Sequence, residues 1–375
     1  MSRLPSAALA FAVYLLLAFA FFASAWQNPT YLSAGTAGDP ELFMWLLGWI
    51  PYSISHGLNP FFTDYLIYPQ GANLLWTLIP IVPGLLLSPF MILIGPVATY
   101  NLAMTLALAT SALCAYIAVN SLGGDRLGAF AGGLLFGFSP YMVAHSLGHP
   151  NLVICVTPPL VMLILTELFV KQRLRAWQGG LALGAVSALQ FLTTPEILFT
   201  TVFFAVLGTV IIGALRWREV KPRVRHAITG LVVAAAVSIP VAVFPLAFLF
   251  FGPQHVQGVV REQDIYVTDL LNFFVPTRVM LIAPESAIDI SRQWTGDDAE
   301  WNAYVGIPLV MLLAYIAFRW RRVTLVSWST LLALVVAVLS MGPHLHIAGA
   351  IHFHIILPWR LFSTCRCSTT CCPRG

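Results

Sequence analysis

Long apolar stretches recur along almost the whole chain, and they constrain its fold more than any other feature. The first stretch, residues 7–26, contains no charged residue, and about 20 apolar residues are enough for a helix to cross the hydrocarbon core of a membrane. Over all 375 residues, 59% are hydrophobic and 9% are charged, whereas soluble domains have about 25% charged residues. This composition excludes a soluble enzyme, a nucleic-acid-binding protein and a disordered chain.

The apolar stretches predict an all-α fold, a polytopic membrane helix bundle of about nine spans. We expect a single membrane-embedded domain over 1–363, with two long outer loops at 27–96 and 251–302. Because only Arg3 precedes the first stretch and further spans follow it, we interpret this stretch as a retained helix and not as a signal peptide.

The positions of lysine and arginine indicate how the chain crosses the membrane. The segment 78–95 is apolar but contains three prolines, so we interpret it as a re-entrant or interfacial segment or a broken hairpin. If the N-terminus is cytoplasmic and this segment does not cross the membrane, the basic residues named next fall on the inner side, as the positive-inside rule requires. These residues are Arg126, the group from Lys171 to Arg175, the group from Arg216 to Arg225, and Arg319, Arg321 and Arg322. We predict a multi-pass protein of the plasma membrane.

The first outer loop begins with two carboxylates, Asp39 and Glu41, on either side of Pro40. Proline is favoured in the first turn of a helix, and apolar residues follow at helical spacing. We therefore predict an amphipathic helix over 41–56 that lies along the interface, with Trp45 and Trp49 at the level of the headgroups. Asp39 would then act as a helix N-cap or as a catalytic carboxylate.

Two further outer segments carry ionisable residues. His145 and His149 are four residues apart, but Gly148 and Pro150 disfavour a continuous helix there, and we expect His145 in a polar loop or at the interface. Glu196 lies at the outer end of a predicted span. Because an ionisable group inside hydrocarbon is costly, Glu196 should face a polar cavity or the water above it.

The second outer loop and the C-terminal region offer two more candidate sites. Arg278 is surrounded by apolar residues, and a guanidinium group suits a phosphate, although an ordinary solvated arginine is the alternative. Four histidines that follow could bind zinc or nickel. No carboxylate or cysteine joins them in register, so we favour an interfacial strand or loop. They are His344, His346, His352 and His354.

The last residues, STCRCSTTCCPRG, differ from everything before them. One possible coding of this string, read in another frame, gives HLPLFDNVLP, an ordinary membrane-protein sequence. We therefore expect 364–375 to be an aberrant, unstructured tail that arises from a frameshift near Ser363 and shortens the chain.

Motifs between about residues 30 and 300 together resemble the GT-C superfamily of membrane glycosyltransferases. They are, in order, GDPELFMWLLGW, YPQGANLLW, IPIVPGLLLSPF, GFSPYMVAHSLGHPNL and LQFLTTPEILF. The resemblance is to a bacterial branch that uses polyprenyl-phosphate sugars. It implies a sugar donor on a polyprenyl phosphate or diphosphate in the membrane, and a glycan, lipid or protein acceptor on the extracytoplasmic face.

The resemblance also implies roles for the candidate residues. Asp39 matches the acid of the family's first outer loop, which would act as general base on the acceptor hydroxyl or as ligand to a divalent metal such as Mg²⁺ or Mn²⁺. Glu41 departs from the family's adjacent acidic pair because Pro40 intervenes. His149 and Glu196 would line the cavity. The assignment of Arg278 to the carrier phosphate rests on charge and position alone.

Two other functions stay open at this point. A transporter or lipid flippase would use the charged outer loops as an entrance, but its usual repeats and mid-span charges are not visible in this sequence. A non-catalytic envelope assembly protein would need no carboxylate at position 39. The sequence shows no Walker A, G-x-G-x-x-G, H-E-x-x-H or G-x-S-x-G motif of weight, which argues against a nucleotide-driven pump and the common hydrolases.

Overall fold

The computed structural model of the chain is mostly helical and describes residues 4–36, 39–257 and 262–362. The predicted tail, 364–375, lies outside the described residues. The α-helices are α1 (Leu4–Phe21), α2 (Ala23–Gln27), α3 (Asp39–Ser55), α4 (Ile81–Ser121), α5 (Arg126–Gly137), α6 (Pro140–His145), α7 (Pro150–Val153), α8 (Thr157–Leu165), α9 (Ala176–Thr193), α10 (Pro195–Val220), α11 (Val224–Phe251), α12 (Glu285–Ser291), α13 (Ile307–Arg319) and α14 (Thr324–Ser340). Two antiparallel pairs of short strands accompany them, β1 (Phe62–Thr63) with β2 (Ala72–Asn73), and β3 (His344–Ile347) with β4 (Ala350–Ile356).

Three helical stretches are long and apolar enough to cross a membrane, which indicates a membrane protein as predicted. They are Ile81–Ser121, Pro150–Val170 and Pro195–Phe251. Shorter apolar helices cover Ala7–Phe21, Arg126–Gly137, Ile307–Arg319 and Thr324–Ser340. The helical class is confirmed, and the number of nine spans stays a prediction.

The chain forms two compact units, residues 1–258 and 259–375, where the sequence predicts one domain. In the first unit the core lies among α1, α3, α4 and α5. Its fully buried large side chains include Tyr14, Leu46, Ile50, Tyr100 and Met104. This core fixes α3, the helix that begins with Asp39, against α4.

Helix α4 is broken at Gly95, whose backbone has a φ of 78°. Thr99 Oγ1 donates a hydrogen bond to the Gly95 carbonyl at 2.7 Å. The proline-containing segment 78–95 is thus helical from Ile81 up to this break. Helix α3 packs on this first half so closely that a Cβ atom at Gly84 would lie 2.3 Å from Ile50 Cδ1.

Helices α9 and α11 approach each other through small residues. A Cβ atom at Gly180 would lie 2.5 Å from the Gly230 carbonyl oxygen, and one at Gly184 would lie 2.7 Å from the Ala234 carbonyl oxygen. At these positions α9 has no side chain, and it packs directly on the backbone and the valine side chains of α11.

The apolar run 127–145 does not form one helix. Helix α5 ends at Gly137, and Ser139 caps α6 by accepting a hydrogen bond from Met142 N at 3.4 Å. The physical reason is Pro140, because the residue before a proline is disfavoured in the helical conformation. His145 therefore lies beyond the apolar helix, at the end of α6.

In the second unit, Asp269 holds the turn between β3 and β4. The buried carboxylate accepts hydrogen bonds from the backbone N–H groups of Leu271 at 2.9 Å, Ala348 at 3.2 Å and Gly349 at 2.8 Å. One buried side chain therefore pairs with three backbone donors.

Candidate active site

Asp39 is the first residue of α3, which begins two residues before the predicted helix 41–56. Pro40 and Glu41 complete its first turn, where negative charge is favoured by the helix dipole. Leu46 and Ile50 of the same helix are fully buried, and they anchor it on α4. The helix therefore carries an exposed carboxylate at the end of a rigid, packed element.

The tryptophans of α3 pack within the protein. Trp49 is 4% exposed, and its Nε1 donates a hydrogen bond to the Pro60 carbonyl at 3.1 Å. Trp45 stacks on it with ring centroids 5.3 Å apart. The Trp49 ring is therefore buried between α3 and the loop around Pro60, and the position of α3 at the membrane interface stays a prediction.

The segment before Asp39 is held by a buried amide. Asn101 Oδ1 accepts from Ala34 N at 2.8 Å, and Asn101 Nδ2 donates to the Leu32 carbonyl at 2.8 Å. Gly35 has a φ of +97°, and a Cβ atom there would lie 2.3 Å from the Leu147 carbonyl oxygen. Only glycine fits at this position, and the segment is thereby brought against the 146–149 turn.

This turn brings His149 to Asp39. His149 Nε2 lies 2.8 Å from Asp39 Oδ2, and the two side chains are 28% and 55% exposed. Gly148 permits the approach, since a Cβ atom there would lie 3.2 Å from Asp39 Cβ. Two residues that are 110 positions apart in the sequence therefore form a direct carboxylate–imidazole pair, which can orient the carboxylate for proton transfer.

His145 is buried, and the prediction of a polar-loop or interfacial residue is wrong. It is 3% exposed, and its ring packs edge-on against those of Tyr141 and His149, at centroid distances of 4.3 Å and 5.6 Å. Burial, helped by the nearby His149, lowers the pKa of His145 to about 3. His145 is therefore neutral at physiological pH.

Several polar atoms around the pair are buried and lack a hydrogen-bond partner within the described part of the chain. They are Tyr100 Oη, His145 Nδ1, His149 Nδ1 and Asn151 Oδ1. Tyr100 interacts electrostatically with both Asp39 and Glu41. Because native proteins rarely leave such atoms unpaired, this cluster has hydrogen-bonding capacity available for water or a ligand.

The structure connects Glu196 to the same region through the backbone. Thr194 Oγ1 donates to the Asn151 carbonyl at 2.7 Å, and Pro195 and Glu196 then form the exposed first turn of α10. Glu41 is likewise exposed in the first turn of α3. The predicted residues Asp39 and His149 are thus in direct contact, and Glu196 begins a helix tied to the turn that holds His149.

A small open crevice lies next to the start of α10. All of its lining residues are apolar, and they include Phe61, Leu78, Phe191, Pro195 and Pro245. Its chemistry suits a hydrocarbon chain and not a phosphate or a sugar.

Arg278 belongs to the second unit, where its guanidinium group pairs with Asp298. Arg278 Nε donates to Asp298 Oδ2 at 2.7 Å, and Nη2 contacts the same oxygen. This partner raises the pKa of Arg278. The side chain is 61% exposed. To bind a carrier phosphate as predicted, Arg278 would have to share its guanidinium group between Asp298 and the phosphate, or release Asp298.

The second unit also shows a carboxylate that sequence reasoning missed. Asp264 Oδ2 lies 2.9 Å from His344 Nδ1, and Asp264 Oδ1 lies 3.4 Å from His346 Nε2. Asp264 is about 80 residues away from the two histidines in the sequence, so no local sequence pattern indicated their contact. Among the described residues, no group of three or more His, Cys, Asp or Glu side chains is arranged to hold a metal ion, and a metal at Asp39 stays a prediction.

Asn101 and Tyr100 were also missed, although polar residues inside an apolar stretch are a usable signal. Both are fully buried in the stretch that forms α4. Asn101 pairs with the segment before Asp39, and Tyr100 lies close to Asp39. Both relationships depend on tertiary contacts, which the spacing of residues in the sequence does not report.

Comparison with known proteins places the chain in a family. Searches among curated proteins and among solved structures found no similar protein. The model of one family, described as a domain of unknown function (DUF6311), matches residues 11–370. The chain therefore belongs to the DUF6311 family.

Proposed function

We propose that the chain is a membrane glycosyltransferase of GT-C type that transfers a sugar from a polyprenyl-phosphate carrier to an acceptor hydroxyl. The reaction takes place on the extracytoplasmic face of the plasma membrane, and the chain crosses that membrane about nine times. The observation that carries the proposal is the contact between Asp39 and His149 at the start of α3.

In this proposal Asp39 is the general base. Its carboxylate takes the proton of the acceptor hydroxyl while the acceptor oxygen bonds to the anomeric carbon. The bond from that carbon to the carrier phosphate breaks, and its electron pair leaves with the phosphate. A positioned base contributes about 10²- to 10⁴-fold to such a step, and alignment of the two substrates supplies much of the rest.

His149 has the role of a positioning residue. An imidazole N–H that donates from Nε2 to Asp39 Oδ2 fixes the direction of the carboxylate and leaves its other oxygen for the acceptor. Glu41 adds negative charge, and Glu196 lines the polar side of the site. The apolar residues around Pro195 fit contact with the hydrocarbon part of a carrier lipid.

The first test is complementation of a deletion strain with wild-type protein, Asp39→Asn or Glu285→Gln. Polyprenyl-linked sugars and envelope glycans are quantified by mass spectrometry, with expression of each variant checked in the membrane. We expect the wild type to restore a lost glycan linkage and Asp39→Asn to reduce it at least about 100-fold. Glu285 is an exposed carboxylate at the start of α12, and Glu285→Gln is the matched control for loss of charge.

A second pair of variants tests the positioning role. His149→Gln keeps an amide donor for Asp39, whereas His149→Ala removes it, so the glutamine variant should retain more activity. If Asp39→Asn restores the glycan fully, Asp39 is not the base, and the transporter and assembly alternatives gain support.

A further inference from the structure

An exposed aromatic surface lies at the end of α3 that is opposite to Asp39. It consists of Tyr52, His56, Asp64, Tyr65 and Tyr68, and we name it the tyrosine patch. The three tyrosines are 40%, 60% and 81% exposed, respectively, and His56 and Asp64 are exposed as well. Neither the candidate active site nor the helix packing accounts for so many exposed rings.

Three rings of the patch contact one another. The hydroxyl groups of Tyr52 and Tyr65 form a hydrogen bond at 3.2 Å, and the buried Trp49 ring lies beneath both, at centroid distances of 5.8 Å and 5.6 Å. The His56 ring stacks on Tyr52 at 4.1 Å. Because these contacts already restrict the rotamers of Tyr52, Tyr65 and His56, binding would cost little of their conformational entropy.

The loop that carries the patch is also anchored. Tyr65 N donates to Thr63 Oγ1 at 3.1 Å, and Gln254 Nε2 donates to the Gln70 carbonyl at 3.3 Å. Asn73 Nδ2 donates to the carbonyls of Phe248 and Pro253, at 3.1 Å and 3.2 Å. The exposed rings therefore project from a fixed part of the first unit.

The charges around the patch indicate the class of its ligand. Residues 27–77 contain no lysine or arginine, and they contain Asp39, Glu41 and Asp64. Anionic lipid surfaces and phosphate groups attract lysine and arginine, so such partners do not match this surface. Tyrosine hydroxyls, an imidazole and a carboxylate instead match the hydroxyl groups of a neutral sugar, while the ring faces match its apolar C–H face.

We propose that the tyrosine patch binds the neutral sugar units of an extended glycan, which is the acceptor of the reaction. This inference rests on the proposed function and names its acceptor class. Tyr52 follows Asp39 by 13 residues in one helix, so the patch lies about 20 Å from the carboxylate. An acceptor that reaches both places is a chain of several sugars and not a single amino-acid hydroxyl or a lipid headgroup.

Saturation-transfer NMR on the full chain in detergent tests the inference directly. The probes are maltohexaose, cellohexaose and mannohexaose, each compared with glucose or mannose. We expect at least one hexasaccharide to bind and the monosaccharides to bind more weakly. Tyr65→Ala should weaken hexasaccharide binding about two- to tenfold, the range expected for one aromatic contact. Tyr31→Ala, which alters an exposed tyrosine outside the patch, should leave binding unchanged.

Three outcomes would overturn the inference. One is that no hexasaccharide binds more tightly than its monosaccharide. Another is that Tyr65→Ala and Tyr31→Ala have the same effect. The third is that dihexanoylphosphatidylcholine below its micelle concentration gives saturable choline signals that Tyr65→Ala removes, since the patch would then bind lipid headgroups.

The same variants separate this inference from the proposed function. Asp39→Asn should bind the hexasaccharide as the wild type does, because Asp39 lies at the other end of α3. If Tyr65→Ala loses binding while Asp39→Asn retains full transfer activity, the glycan-binding surface stands and the assignment of Asp39 fails.

Discussion

At the scale of single residues, the candidate site combines an exposed carboxylate with one half-buried and one buried imidazole. Asp39 is open to a substrate, and His149 bridges it to the interior at 2.8 Å. His145 lies one helical turn before His149 and is buried. A buried histidine resists protonation because the interior cannot solvate its charge, and this property is measurable without any knowledge of the substrate.

His145 should make the protein less stable in acid. Its pKa is about 3 in the folded protein and close to 6.5 when unfolded, so the unfolded chain binds the additional proton between these values. Stability should fall as pH decreases from about 6.5 towards 3, by up to about 1.4 kcal/mol per pH unit from this one group. Thermal unfolding at pH 7.5 and pH 4.5 measures the effect. His145→Gln should reduce the pH dependence, and His56→Gln, at an exposed position, should not; equal slopes in all three proteins would contradict the prediction.

At the scale of elements, helices in the first unit approach through glycines. The closest approach between α9 and α11 occurs at Gly180 and Gly184, where backbone carbonyls occupy the space that a side chain would need. Such contacts tolerate no added volume, because backbone atoms cannot move aside as a flexible side chain can.

Gly184→Leu should therefore separate α9 from α11. We expect a loss of about 1–3 kcal/mol in the free energy of unfolding, the usual cost of overpacking. Gly213→Leu is the matched control, since Gly213 lies within α10 and a Cβ atom there has no neighbour within 4 Å. Chemical denaturation in detergent compares the two variants, and a loss of stability in Gly213→Leu of equal size would refute the packing argument.

The sequence predicted some elements better than others for physical reasons. The long apolar stretches that form α4, α10 and α11 are hydrophobic enough to be recognised from the sequence alone. The helix break before Pro140 arises because a proline restricts the conformation of the residue before it. The burial of Trp49 arises from tertiary packing. The spacing of apolar residues reports neither of these effects. The Asp39–His149 pair joins two loops that were each identified as candidates, but their contact requires the folded core that lies between them.

At the scale of the whole molecule, the charges are sorted along the helices. Helix α10 begins with Glu196 in its first turn and has Arg218 in its last, which lies 22 residues later and thus about 33 Å away along the helix. The other basic groups also lie at helix ends or connections, as Arg126 begins α5 and Arg319 ends α13. This distribution supports the proposed orientation, with the acidic ends outside.

Reporter fusions test that orientation. Alkaline phosphatase fused after Asn59 should be active, because we expect the first outer loop to be extracytoplasmic, and the same enzyme fused after Arg218 should be inactive. Green fluorescent protein at these two positions should show the reverse pattern. An active phosphatase after Arg218 would contradict the orientation, because the basic groups would then not lie on the cytoplasmic side.

The break in α4 also has a mechanical consequence. The full helix of 41 residues would be about 60 Å long if straight, twice the thickness of the hydrocarbon core. The break lets the two parts of the helix take different directions, and each part contacts the region of Asp39. The part before Gly95 packs on α3 through Gly84 and Ile50, and the part after it holds the segment before Asp39 through Asn101. Because both parts are tied to this region, we expect the height of Asp39 above the lipid to change little when the span tilts to match a thinner or thicker bilayer.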